Sequence, residues 1–97
     1  MELLISSRAE ADVTSAFDWY QKNGADLGGD FIRCVDATLS LIHRSPQIFR
    51  KRHGLLRMAM TPRFPYAVYF LWDEEAHFIS VRRILHFSQH APAQLES

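Results

Sequence analysis

The sequence predicts an α+β domain: an antiparallel sheet, made of an N-terminal strand plus a C-terminal three-stranded meander, packed against an N-terminal two-helix hairpin. Three observations carry this. Apolar residues recur every three to four positions from Ala9 to Ile42, the period of a helix face. Ser45-Pro46 closes that pattern, because a residue before proline is pushed out of the helical region. Beyond it the chain turns β-branched and aromatic, most densely in Tyr66-Ala-Val-Tyr-Phe-Leu-Trp72.

Glu2–Ile5 has strand character and joins the sheet, since alone it could not bury its apolar side chains. Ser7-Arg-Ala-Glu10 reads as a capping box with Ser7 at the N-cap. Ala9, Val13, Ala16, Phe17 and Tyr20 then line one helix face, with Glu10, Asp12, Thr14 and Asp18 polar between them. Asn23-Gly24 stops this helix, both residues accepting the left-handed backbone. A second helix starts near Asp26–Gly29 and runs to about Arg44, with the stripe Leu27, Phe31, Cys34, Val35, Thr38, Leu41 and Ile42. The short link between the two makes them a hairpin. Leu55–Met60 and Tyr66–Trp72 are strands joined by the two-proline turn Thr61–Pro65. Asp73-Glu-Glu75 turns into a last strand from about His77 to Leu85. There Ile79 and Val81 are in phase and Ile84 is not, which predicts a bulge near Arg82-Arg83. The tail His90–Ser97 is expected to fray, with the whole of 1–97 forming one domain.

Apolar residues at 47% and aromatics at 12% exclude a disordered chain. The apolar runs are too short to span a membrane, and Met1–Asp12 lacks the basic region of a signal peptide. Cys34 is alone, so neither a disulfide nor a cysteine zinc site is expected, and no cofactor or metal. These features point to a soluble cytoplasmic protein. The net charge of zero hides an uneven distribution. Residues 1–36 hold seven acids against Arg8, Lys22 and Arg33, whereas residues 37–72 hold no acid and six bases: Arg44, Arg50, Lys51, Arg52, Arg57 and Arg63. Such a stretch creates a positive field suited to nucleic acid or an acidic partner segment, or it is a solvated loop around Arg50–His53.

Four segments in order resemble the ParE/RelE superfamily of toxins. They are Ala16-Phe-Asp-Trp-Tyr20, Leu27-Gly28 with Phe31, Arg63-Phe-Pro-Tyr-Ala-Val-Tyr69, and the strand ending Val81-Arg-Arg-Ile-Leu-His86. The resemblance spans residues 2 to about 90, and the family fold is the one read above from periodicity. It implies a cognate antitoxin that wraps the helices and sheet edge in a toxin–antitoxin hetero-oligomer, with Trp19, Tyr20 and Phe70 as contacts. Trp19 lies off the core stripe and suits an anchor, or is an ordinary packing residue.

Within that family two chemistries stand open. Members resembling RelE cut messenger RNA on the ribosome, which needs arginines and an acid–base residue converging on the sheet. In that reading Arg57, Arg82 and His86 are the catalytic candidates. Members resembling ParE, known in plasmid stabilisation, inhibit DNA gyrase and need no catalytic residue. In either reading Arg57, Arg63, Arg82, Arg83 and His86 are the expected target contacts. An arginine inside a strand is costly to bury and should face solvent or phosphate. His86 is a group whose charge changes near neutral pH, or a strand-end histidine bonded to backbone. The form of the helices, the sparse lysines near Arg50–His53 and the lack of a tyrosine in Phe87–His90 favour the ParE-like branch. Ser88, Gln89 and His90 depart from the arginines and aspartate that ParE-like chains often carry there. That departure leaves open a weakly toxic or non-toxic module that only binds an antitoxin.

Overall fold

The computed structural model describes residues 1–89 and 91–96. In chain order it contains β1 (Glu2–Ile5), α1 (Ser7–Asn23), α2 (Leu27–Arg44), a 3-10 turn (Pro46–Ile48), β2 (Lys51–His53), β3 (Leu56–Met60), β4 (Tyr66–Asp73), β5 (Phe78–His86) and α3 (Ala91–Glu96). The five strands form one sheet in the order β1-β5-β4-β3-β2. Helices α1 and α2 cover one face, so the α+β class and the helix pair on the sheet are as the sequence predicts.

Two corrections to the sheet share one cause. The meander has a fourth strand, β2, and β1 lies parallel to β5 rather than antiparallel. If each successive element reverses the chain, β1 and β5 point the same way once β2 is counted and opposite ways if it is missed. The three residues of β2, Lys51-Arg52-His53, alternate no apolar side chains and give no strand signal.

The helix ends also differ in detail. Ser6, not Ser7, is the N-cap of α1, and its hydroxyl accepts a bond from the Ala9 N–H. Helix α1 does stop at Asn23, but Gly24 is extended there, and the left-handed residue of the link is Asp26, at φ 62°. Gly28 is required by a close approach: a Cβ there would lie 2.8 Å from Cε1 of Phe17 on α1.

The main core lies between the helices and the sheet, with Phe31, Val35 and Ile42 of α2 against Val68, Phe70, Ile79, Val81 and Ile84. Each such side chain stabilises the fold by about 1.5–3 kcal/mol. Leu41, counted in the α2 stripe, is instead exposed. The other sheet face carries a smaller cluster, Ala67, Tyr69 and Leu85, covered by Ala91 and Leu95 of α3. Residues 91–96, expected to fray, are therefore a short helix seated on the sheet; His90 and Ser97 lie outside the described residues.

The predicted bulge is present. Tyr69 pairs with Arg83 and Phe70 with Val81, so Arg82 is the extra residue on β5. The bulge lets Val81 and Ile84, three apart, both enter the main core. It also leaves Arg82 exposed and turns Arg83 onto the face opposite α1 and α2.

Candidate functional site

Strand β5 outlasts its neighbour β1, so past Val81 its outer edge would present unpaired backbone groups. The start of α1 closes that edge. The Ser6 N–H donates to the Val81 carbonyl at 2.9 Å, the Ser6 hydroxyl to the Arg82 carbonyl at 2.8 Å, and the Ile84 N–H to Oδ2 of Asp12 at 2.9 Å. Arg83 wraps round the same edge. Its Nε and Nη2 each donate to the Asp12 carboxylate at 2.8 Å, and Nη1 donates to the Gln94 carbonyl of α3 at 3.2 Å. Both side chains are almost buried, 10% and 13% exposed. The bond to Asp12 raises the Arg83 pKa above its ordinary value, against the opposing effect of burial.

This ion pair divides two clefts. On the open sheet face, a cleft of about 280 Å³ is lined by Arg8, Arg82 and Arg83 with Leu56, Leu71 and Leu95. On the helix side, a cleft of about 360 Å³ brings Trp19, Tyr66 and His86 together with Asp12 and Gln89. His86 stands edge-on to Tyr66, with ring centroids 5.1 Å apart. Its Nδ1 accepts the Ser88 N–H at 2.9 Å, which places the proton of the neutral ring on Nε2. Burial raises the pKa of Tyr66, with smaller contributions from Tyr20 and Asp12.

The other expected target contacts lie elsewhere. Arg57 sits opposite Phe70, on the helix-side face rather than the open one. It is partly exposed at a cleft it shares with Lys51 and Leu55, and is held there, Nη1 donating to the Phe49 carbonyl at 2.7 Å and the guanidinium lying over Trp72. Along the sheet Arg57 and His86 are separated by four residues of β4 and two strand spacings, about 16 Å between backbones. Arg63, in the β3–β4 turn, packs over Phe64 and pairs with Asp30 of α2 at 3.6 Å. Of the five residues, only Arg82 and Arg83 are brought together.

Among the expected antitoxin contacts, Trp19 is 59% exposed and stacks edge-on against Tyr20. Tyr20 belongs mainly to the core, against Phe31 and Phe64. Phe70 is fully buried and cannot meet a partner, because its face of β4 is the one the helices cover. Asp12 and Gln94, which hold Arg83, are not among the site residues expected from sequence. Asp12 had a signal, since it stands three residues after Ala9 and four before Ala16, on the margin of the buried stripe. Gln94 contributes only a backbone carbonyl, which no residue type announces.

A third cleft, of about 300 Å³, runs between α1, α2 and β1, lined by Ile5, Val13, Ile32 and Leu39 together with Glu10 and Asp36. Among the described residues no group of histidine, cysteine or carboxylate side chains could hold a metal ion. No described helix is long and apolar enough to cross a membrane.

The fold is similar to that of a chain from the chromosomal ParDE TA system of P. aeruginosa. The TM-score is 0.64 at 17% identity, over 89% of this chain and 95% of that one. At that identity the likeness speaks for the fold. No curated protein sequence matches. The family described as the ParE toxin of the parDE type II toxin–antitoxin system matches residues 3–91, which includes the helix-side cleft, the β5 bulge and the arginines of the open-face cleft. The chain belongs to the ParE toxin family of type II toxin–antitoxin systems.

Proposed function

We propose that this chain is the toxin of a cytoplasmic toxin–antitoxin pair, that it inhibits DNA gyrase through the open sheet face around Arg82, and that a cognate antitoxin neutralises it. One observation carries the choice of gyrase over messenger RNA. The residues a ribonuclease would need are dispersed: Arg57 and His86 lie on the helix-side face about 16 Å apart, and Arg82 points to the other face. General acid–base chemistry on one phosphodiester needs those groups within hydrogen-bond reach of the same atoms. An inhibitor that binds its target has no such requirement. The antitoxin reading is supported by Trp19, a large exposed aromatic beside the helix-side cleft, and by the apolar groove of the helix pair.

The test is supercoiling by purified gyrase with the purified chain added, alongside thymidine and leucine uptake after induction in a bacterial host. The reading expects inhibited supercoiling and an early fall in thymidine uptake. Arg82→Ala should lose toxicity while His86→Ala and Arg57→Ala keep it. An early fall in leucine uptake, abolished by Arg57→Ala or His86→Ala, would instead establish messenger RNA cleavage. Absence of growth arrest on induction without a partner would leave an antitoxin-binding module only. Trp19→Ala should weaken antitoxin binding without changing supercoiling inhibition.

A further inference from the structure

Helix α3 covers only part of the open sheet face. Next to it the registers align Leu4 of β1, Ser80 of β5, Leu71 of β4 and Leu56 of β3 in one transverse row. Leu4 is 51% exposed, and Leu56 and Leu71 form one wall of the 280 Å³ cleft against α3. The row crosses three strand spacings, about 14 Å. That length matches between two and three turns of a helix.

The charges on this face are sorted. Arg8 and Arg82 line the cleft, Arg82 held by its Nε on the Ser80 hydroxyl at 3.0 Å. Arg52, on β2, lies close enough to oppose the effect of burial on the Tyr69 phenol. Among the described side chains of the sheet on this face, the acids Glu2 and Asp73 pair with Phe78 on the next row, away from the arginines. A nucleic acid strand crossing the face would carry phosphates past those carboxylates and find leucines where it needs aromatic rings to stack upon. A peptide can place carboxylates along one flank only.

The chain itself shows how this face receives a helix. Helix α3 sets Ala91 and Leu95 on the sheet, and Arg83 donates to its Gln94 carbonyl near the C-terminal end. We infer that a short amphipathic helix of the target protein docks beside α3, with leucine-type side chains on the Leu4–Leu71–Leu56 row and carboxylates facing Arg82. This names the chemistry of the target segment, and so rests on the reading that the open face is where the target binds.

The probe is a labelled helical peptide of about ten residues, with leucines on one face and glutamates along one flank. Its binding to the purified full chain is followed by fluorescence anisotropy. A second peptide carries glutamine for each glutamate, and a labelled single-stranded oligonucleotide represents the competing class. The glutamate peptide should bind and the glutamine peptide bind more weakly. Arg82→Glu should weaken binding on the order of tenfold, since charge reversal replaces attraction by repulsion. Arg82→Gln should fall between, and Arg44→Glu, at the far end of α2, should change nothing. Arg82 is the exposed extra residue of a bulge, so these variants fold; circular dichroism checks it. Equal binding of the two peptides, indifference to Arg82→Glu, preference for the oligonucleotide, or no binding by folded chain would each overturn the inference. The supercoiling assay separates the two failures. Peptide binding that depends on Arg82 without gyrase inhibition would sink the gyrase reading and keep this one; gyrase inhibition without peptide binding would do the reverse.

Discussion

Removing the Asp12 carboxylate should unfold much of what holds β5 in place. The side chain accepts three bonds, two from the Arg83 guanidinium at 2.8 Å and one from the Ile84 N–H at 2.9 Å. In Asp12→Ala the guanidinium stays nine-tenths buried and keeps its bond to the Gln94 carbonyl, while the Ile84 N–H loses its acceptor. Breaking one side of a buried pair costs about 3–5 kcal/mol. A domain of this size has a total stability of about 5–15 kcal/mol. Each kcal/mol moves Tm by about 4–8 °C in a chain this long, so Asp12→Ala should lower Tm by at least about 12 °C. Asp12→Asn keeps one acceptor oxygen and should fall between Ala and the native residue.

Two well-packed apolar residues can replace such a pair with little loss. The double variant Asp12→Leu, Arg83→Met should therefore be more stable than either single one. Urea unfolding followed by circular dichroism measures all four corners of the cycle, with an unchanged m-value showing that the unfolded state is the same. A loss below about 1 kcal/mol for Asp12→Ala, or a coupling under about 0.5 kcal/mol, would refute the argument. The pH dependence has a definite sign. Arg83 has a raised pKa in the folded state, so its contribution is full below the ordinary arginine range and is lost only as pH rises through the higher folded value. This guanidinium gives no loss between neutral and mildly alkaline pH.

Three further outcomes are expected. Arg57→Ala removes a charged bond to the Phe49 carbonyl and the cover over Trp72, and should cost about 1.5–3 kcal/mol in urea unfolding while supercoiling inhibition survives. Tyr20, Tyr66 and Tyr69 all have pKa values raised above 10.0 chiefly by burial. Stability should accordingly be level up to about pH 10 and fall above it as tyrosinates form, read by tyrosinate absorbance against circular dichroism at rising pH. Gly28→Val would drive a side chain into the Phe17 ring and should destabilise the hairpin by about 1–3 kcal/mol, measured as a shift in the urea midpoint.

The fold was legible wherever side chains reported their own burial. Helix α2 announced itself because Phe31, Cys34, Val35, Thr38 and Ile42 all turn inward at helical spacing. Strand β4 did so because its apolar run is packed on both faces, by the helix pair on one and by α3 on the other. What the sequence hid was structure held by backbone bonds. Strand β2 has no apolar residue to bury and exists through its ladder to β3, including the Met58 N–H to the Arg50 carbonyl at 3.1 Å. Helix α3 is too short for periodicity to speak, and Ala91 and Leu95 seat it together with the Arg83 bond to the Gln94 carbonyl.

The candidate site followed the same rule with one instructive exception. Residue type and the family resemblance nominated Arg57, Arg63, Arg82, Arg83 and His86, yet neither says anything about facing, and three of the five face away from the open sheet. The broken phase between Val81 and Ile84 did carry facing information. A strand with strict alternation would have placed Val81 and Ile84 on opposite faces, and one of the two would have left the core. The cost of exposing either, about 1.5–3 kcal/mol, selects the bulge. Once Arg82 is the extra residue, its exposure and the turning of Arg83 to the far face follow without any preference of the arginines themselves. The apolar residues of β5 thus decide which arginine a target meets and which one Asp12 must hold. A substitution such as Ile84→Ser, distant in character from any charged site, should therefore alter target binding through Arg82 before it abolishes folding.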